Sequence, residues 1–185
     1  RLWFVEQHEE GTNAYNIPMI FKLSNKVSVE VLERSLKTIV SRHEVLRTLI
    51  INKNNHIYQT VKSFSDIENN FIFHKTGIIN NSEFEYKLSN DVNHIFNLSI
   101  EIPIRISLYK VIRDSTFKKF DQYLVIIIHH IAFDGWSVDV FYKELESFYS
   151  FYLDNDLHTL VLPSNISKLD IQYKDFALWQ RKYLS

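Results

Sequence analysis

An α+β fold is predicted by three observations in this chain of 185 residues. The apolar, β-branched run from Leu124 through Ile128 has the length and composition of a strand buried on both faces. Just before it, Ile104, Ile106 and Leu108 alternate with Arg105, Ser107 and Tyr109. That alternation describes a half-buried strand, and the charged turn over 114–119 joins the two strands as a hairpin. Two other segments carry apolar residues at the spacing of one helix face: Val29, Leu32, Leu36, Ile39 and Val40, then Val140, Phe141, Leu145, Phe148 and Tyr152.

The remaining elements follow in order. Pro18 pushes Ile17 into an extended conformation, so 18–23 reads as a strand. Ser28 is a good N-cap and Glu30 suits the positive end of a helix, which runs to Arg42 and His43, cations at its negative end. Leu49 to Ile51 is a strand, Asn52 to Asn55 carry turn chemistry, and 56–61 returns, giving a hairpin over 46–61. On that strand Arg47 shares a face with Leu49 and Ile51. A guanidinium on a buried face needs a carboxylate, and Asp134 is a candidate. A polar loop is expected over 62–70 and a short strand over 71–74, where His74 is a surface or core residue rather than a ligand. Phe84, Leu88, Val92 and Ile95 place a helix over 82–95. The long apolar strand covers 120–130, a helix follows over 137–153, a Pro163-containing loop fills 155–166, and a last helix spans 168–184.

Composition narrows the function. The formal charge of −1 leaves no electrostatic footprint for nucleic acid. The absence of cysteine excludes a disulfide framework, a thiolate zinc site and a covalent cysteine mechanism. No run of about 18 apolar residues suggests a membrane helix and no signal peptide is visible, so a cytoplasmic location is expected. The aromatic content, 15%, reads as core and cleft lining because basic interleaving is missing. Glycine-rich phosphate loops, GxSxG and HExxH are all absent. The chain opens at Arg1 without methionine, directly in structured-looking sequence, as expected of a segment of something larger.

The polar cluster closing the long strand is the candidate site: His129 and His130, then Asp134 and Gly135 on a turn. Adjacent strand residues point to opposite faces, so one histidine belongs inside the fold and the other is presented to a ligand. Opposed directions also make shared metal coordination by the pair awkward. Asp134 can turn back toward the strand end, and Gly135 supplies a positive φ or close backbone approach.

This string, His-His-x-x-x-Asp-Gly, resembles the HHxxxDG motif of the condensation domains of nonribosomal peptide synthetases. Arg42-His-Glu-Val-Leu-Arg-Thr48 resembles that family's RHExLRT segment. Arg1-Leu-Trp-Phe4 resembles the end of its first motif, and Ala14-Tyr-Asn-Ile-Pro18 the approach to its first strand. Tyr173-Lys-Asp-Phe-Ala-Leu-Trp179 resembles its YxDYAxW motif, with Phe176 in place of tyrosine. The four motifs stand in family order across the chain. The resemblance implies a chloramphenicol acetyltransferase-like α/β sandwich, a mixed sheet packed with helices. It also implies that residues 1–185 are the N-terminal subdomain, without the C-terminal one.

The chemistry so implied is amide-bond formation between a carrier-bound acyl or peptidyl thioester and the α-amine of an aminoacyl thioester on a second carrier. By resemblance His130 faces the tunnel and His129 packs inward. Arg42 and Arg47 hold the region, and Asp134 is structural, paired with Arg47 or an arginine of the absent half. Gly135 leaves room for the pantetheine arm. Trp136 and Ser137 lean toward a domain that takes an L-configured donor. An imidazole is matched to accept a proton near neutral pH. An α-amine, with a reference pKa of about 7.7–8.0, sheds much of its proton unaided. Positioning with late proton acceptance by His130, and stabilisation of the tetrahedral intermediate, are therefore the expected roles. The implied partners are donor and acceptor carrier proteins, an adjacent adenylation domain and the C-terminal half. The implied domain binds no cofactor of its own, its substrates riding on phosphopantetheine arms. The alternatives are an epimerisation domain, a free-standing CoA-dependent acyltransferase and a non-catalytic carrier-docking module. The alternative of a heterocyclisation domain is opposed by His129 and His130.

Overall fold

The computed structural model of the chain describes residues 11–54, 56–68, 73–112, 119–158 and 161–184. Arg1 to Phe4, Phe71 and most of the expected turn over 114–119 lie outside them. The chain divides into two compact units, each built from two stretches: Arg1–Val27 with Ile72–Phe133, and Ser28–Phe71 with Asp134–Ser185.

The first unit holds a four-stranded mixed sheet. Strands β1 (Asn16–Leu23), β4 (Phe73–Ile79), β5 (Ile104–Ile112) and β6 (Phe120–His129) lie in the order β1-β6-β5-β4. β6 pairs antiparallel with both neighbours, from Asn16 opposite His129 to Leu23 opposite Gln122 on one side, and from Ile104 opposite Ile128 to Ile112 opposite Phe120 on the other. Its residues Leu124 to Ile128 are each at most 2% exposed, so the run is buried on both faces. Burial of such side chains stabilises by about 1.5–3 kcal/mol each. Pro18 is accommodated because β1 is at the edge of the sheet formed by the described residues, where a missing N–H breaks no ladder. β4 runs parallel to β5, with a register irregularity between Lys75 and Ile78. It is longer than the short strand expected there.

β5 departs from the half-buried expectation. Ser107 and Tyr109 are buried along with Ile104, Ile106 and Leu108, and Tyr109 is covered by Phe84 and Asp91 of the helix at 81–92. Helix α3 (Asn81–Val92) packs on β5 and β6, capped by Asn80, whose side chain accepts from the Glu83 amide at 2.8 Å. The helix stops before Ile95, which is 52% exposed.

The second unit is mainly helical. α1 (Val29–Arg42) has Ser28 as its N-cap and buries Val31, Leu32, Ser35, Leu36, Ile39 and Val40 against α4 (Gly135–Asp154). A 3-10 turn (Glu44–Arg47) leads into the hairpin of β2 (Thr48–Lys53) and β3 (His56–Val61), a separate two-stranded sheet. Asn54 turns the hairpin at φ 53°, a left-handed conformation that asparagine tolerates better than most residues. The expected loop over 62–70 contains a short helix, α2 (Phe64–Glu68), whose Asp66 amide is received by Ser63 Oγ at 3.1 Å. The last helix, α5 (Tyr173–Leu184), starts five residues later than expected. No helix among the described residues is long and apolar enough to cross a membrane.

Candidate functional site

The chain passes from the first unit to the second between Phe133 and Asp134. The two ends of the His-His-x-x-x-Asp-Gly string are therefore built by different frameworks.

In the first unit, β6 ends at His129 and His130 begins a turn. His129 is fully buried, while His130, just past the strand end, is exposed. Aromatic rings flank His129, Phe96 edge-on at 5.8 Å and Tyr15 at 6.1 Å between centroids. Its Nδ1 accepts the Ile131 amide at 3.1 Å and its carbonyl accepts the Ala132 amide at 3.0 Å, so His129 ties down the turn that carries its neighbour. The His130 amide donates to the Tyr15 carbonyl at 2.8 Å. Its imidazole has no hydrogen-bond or ion-pair partner among the described residues. The backbone of His130 is thus fixed while the ring is left to meet something else.

In the second unit, Asp134 is the N-cap of α4. Its Oδ1 accepts from the Ser137 amide at 2.9 Å and from the Ser137 hydroxyl at 2.7 Å, while the Asp134 amide donates to Ser137 Oγ at 3.3 Å. This reciprocal capping box sets the direction of the helix start. The expected pairing of Asp134 with Arg47 is not what the structure has. Arg47 lies in the 3-10 turn, not on β2, and its guanidinium reaches the Lys62 and Ser41 carbonyls and Glu44, 3.8 Å away. The Lys62 carbonyl at the end of β3, the Ser41 carbonyl and Glu44 thus take the place of Asp134 around this guanidinium. Gly135 does not take the positive φ, the first of the two expectations for it. It is the first residue of α4 with no positive φ, and a Cβ there would meet open space. Trp136 is 86% exposed in the first turn of the helix.

Arg42 belongs to a buried charge cluster centred on a residue that sequence reasoning missed. Arg42 Nε donates to Glu144 Oε1 at 2.9 Å, and His43 Nε2 donates to Glu144 Oε2 at 2.7 Å. Arg42 also donates to the Ser167 carbonyl, and Gln172 bonds the Arg42 carbonyl and the Glu44 amide. Burial pushes the Glu144 carboxyl upward, but the hydrogen bonds and charges of His43 and Arg42 outweigh it and hold it below its usual 4.5. The signal for Glu144 lay in its position, in helical register with Phe141 and Phe148. The expected stripe took the adjacent Leu145 in its place and also included Val140, which is 48% exposed.

A second polar pair stands in the first unit. Buried Tyr109 donates to Asp91 Oδ2 at 2.6 Å, with Arg105 3.7 Å from Oδ1. Burial and then that hydrogen bond push the Tyr109 phenol well above its ordinary range. Burial and Arg105 lower the His74 imidazole below 6.5. Among the described residues no group of acidic or histidine side chains is arranged to hold a metal ion.

Comparisons with known proteins follow the same lines. A sequence profile of the condensation domain matches residues 1–185. The chain is 34% identical over 182 residues to the nonribosomal peptide synthetase dtxS1 of Metarhizium robertsii, covering 98% of this chain and 2% of that protein. It thus spans a small part of the length of such a relative. Among solved structures it is similar to the X-domain from teicoplanin biosynthesis, with a TM-score of 0.75 and 21% identity over 98% of this chain and 36% of that one. The epimerization domain from the third module of tyrocidine synthetase B gives a TM-score of 0.73 at 21% identity, covering 98% of this chain and 39% of that one. These two likenesses establish the mixed-sheet fold with packed helices.

Proposed function

This chain belongs to the condensation-domain family of nonribosomal peptide synthetases, and from that premise we propose that it is the N-terminal half of a domain that forms peptide bonds. Its donor is an acyl or peptidyl thioester on one carrier protein. Its acceptor is the α-amine of an aminoacyl thioester on another. Attack of the amine nitrogen on the thioester carbonyl forms the C–N bond and breaks the C–S bond. The amine proton is relayed to the departing sulfur, which leaves as the free pantetheine thiol.

His130 positions the amine and accepts its proton as the C–N bond forms. The observation that carries this reading is the contrast at the end of β6. His129 is fully buried and bonded to the turn, while His130 is exposed with a fixed amide and an unpartnered ring. An imidazole held this way has both ring nitrogens available to a substrate, and its placement avoids the entropy of recruiting a base from solution. Asp134 acts through α4, whose start it caps, and Trp136 and Ser137 occupy that same first turn. Arg42 supports the second unit through Glu144. The pantetheine arms belong to the carriers and enter as parts of the substrates.

The test uses the full-length domain with loaded donor and acceptor carriers. His130→Ala is expected to lose on the order of 100-fold or more in peptide formation, the range for a positioned acid–base group. Full activity in that variant removes the proposal. Incubating the donor carrier without acceptor separates condensation from epimerisation. Washout of deuterium from the donor Cα under those conditions favours epimerisation, and its retention, with peptide formed once the acceptor carrier is added, favours condensation.

A further inference from the structure

Asn16 is the first residue of β1 and lies opposite His129 across the β1–β6 pair. Its side-chain Nδ2 donates to two carbonyls, Val92 O at 3.0 Å and His94 O at 2.8 Å. Val92 is the last residue of α3, and such terminal carbonyls have no partner within their own helix. Two N–H donors of a neutral amide suit that negative helix end; a carboxylate would not. One residue earlier, the Tyr15 carbonyl receives the His130 amide. Two residues after His94, Phe96 packs edge-on against His129. Asn16 therefore stands between two contacts to the histidine pair: the Tyr15 carbonyl just before it holds the His130 amide, and the segment it binds carries Phe96 against His129.

We propose that Asn16 is a positioning residue for the reaction: by clamping the start of β1 to the end of α3 it fixes the Tyr15 carbonyl, and so the backbone that aims the His130 imidazole. This rests on the role given to His130 above. Since no described side chain holds that imidazole, its direction depends on the backbone that carries it. A displacement of about 1 Å at such a group costs on the order of 100-fold in rate when alignment matters. Without the Nδ2 donors, two carbonyls lose their partner, the strand start loosens, and the His130 amide bond opens more often.

The experiment compares Asn16→Ala, Asn16→Asp, Val111→Ala and His130→Ala in the full-length domain. Val111 is a buried β5 residue at the end of the sheet away from His129, paired with Asp121, so its truncation destabilises the same unit without touching the clamp. Each variant is measured for Tm, for kcat and KM with both carriers, and for hydrogen exchange at the His130 amide. Asn16→Ala is expected to lower kcat on the order of tenfold or more with KM nearly unchanged, and to speed exchange at His130 by a similar factor. Asn16→Asp is expected to do more of both. Val111→Ala is expected to lower Tm at least as far with kcat and His130 exchange near wild type. Unchanged kcat or unchanged exchange in Asn16→Ala overturns the proposal, as does an equal kcat loss in Val111→Ala at matched Tm. Full activity in His130→Ala overturns the role of His130 and this proposal together. Activity lost in His130→Ala but kept in Asn16→Ala overturns this proposal alone.

Discussion

Glu144 has the most to lose from a change of protonation. Its carboxylate is 8% exposed and bound by Arg42, itself 10% exposed, and by His43. Removing one member of such a pair leaves a buried charge uncompensated, which costs about 3–5 kcal/mol. Glu144→Ala is therefore expected to lower unfolding free energy by that amount at pH 7, measured by urea denaturation. The folded-state pKa of Glu144 lies below its ordinary 4.5. Its contribution is thus fully present above 4.5 and is lost as pH falls through the lower folded value. Stability of the wild type should drop on acidification below about pH 4.5 more steeply than that of Glu144→Ala. Parallel curves would mean that the cluster does not carry the effect. Arg42 was legible as a motif residue, but its partner was not, since a glutamate on a helix reads by default as solvated. Only its register with Phe141 and Phe148 betrayed it.

Among the elements, α4 shows how a motif can be recognised while its mechanics are misjudged. Asp and Gly after a strand suggested a tight turn with a positive φ or a close backbone approach at the glycine. The structure uses Asp134 as a helix cap and Gly135 as an ordinary first helical residue. Ser137, three residues on, was the available sign, because a cap whose partner sits at N3 makes a reciprocal box. Asp134→Ala should cost about 0.5–2 kcal/mol, whereas Asp134→Asn, an equally good cap, should cost little. Equal losses in chemical denaturation would point instead to the charge of Asp134. β6, α1 and the β2–β3 hairpin were all visible beforehand because burial on both faces, a one-sided stripe and turn residues each leave a periodic trace. β5 was misjudged because alternation of side-chain polarity is blind to a buried serine or tyrosine: Tyr109 satisfies its hydroxyl on Asp91 and stays inside. α2 was invisible because a five-residue helix is too short to show a period.

At the scale of the whole molecule, the order of strands and helices followed from the sequence, but the sheet order and the two-unit division did not. The turns marked the β2–β3 and β5–β6 hairpins, but local pattern carries no record of pairing between strands distant in sequence, and the parallel β4–β5 pairing leaves no mark on either strand alone. The chain also carries a ladder of exposed rings along α5. Tyr173, Phe176, Trp179 and Tyr183 are each at least 45% exposed, with Phe176 and Trp179 stacked at 5.9 Å. Contiguous apolar surface of this kind promotes association in water. The chain produced by itself should self-associate as concentration rises, and Phe176→Glu with Trp179→Glu should restore a monomer in sedimentation experiments. A monomer for the unaltered chain at all concentrations would contradict this.

The pairing of β1 with β6 bears on how the protein is made. β1 leaves the ribosome before its neighbour in the sheet, which, with Leu23 opposite Gln122, is encoded roughly a hundred residues downstream. At ordinary translation speeds that interval is about 5–20 s. Throughout it the nascent strand has a vacant hydrogen-bonding edge and no mate, so holding by chaperones in that window, more than the final stability, should govern how much correctly folded product a cell obtains.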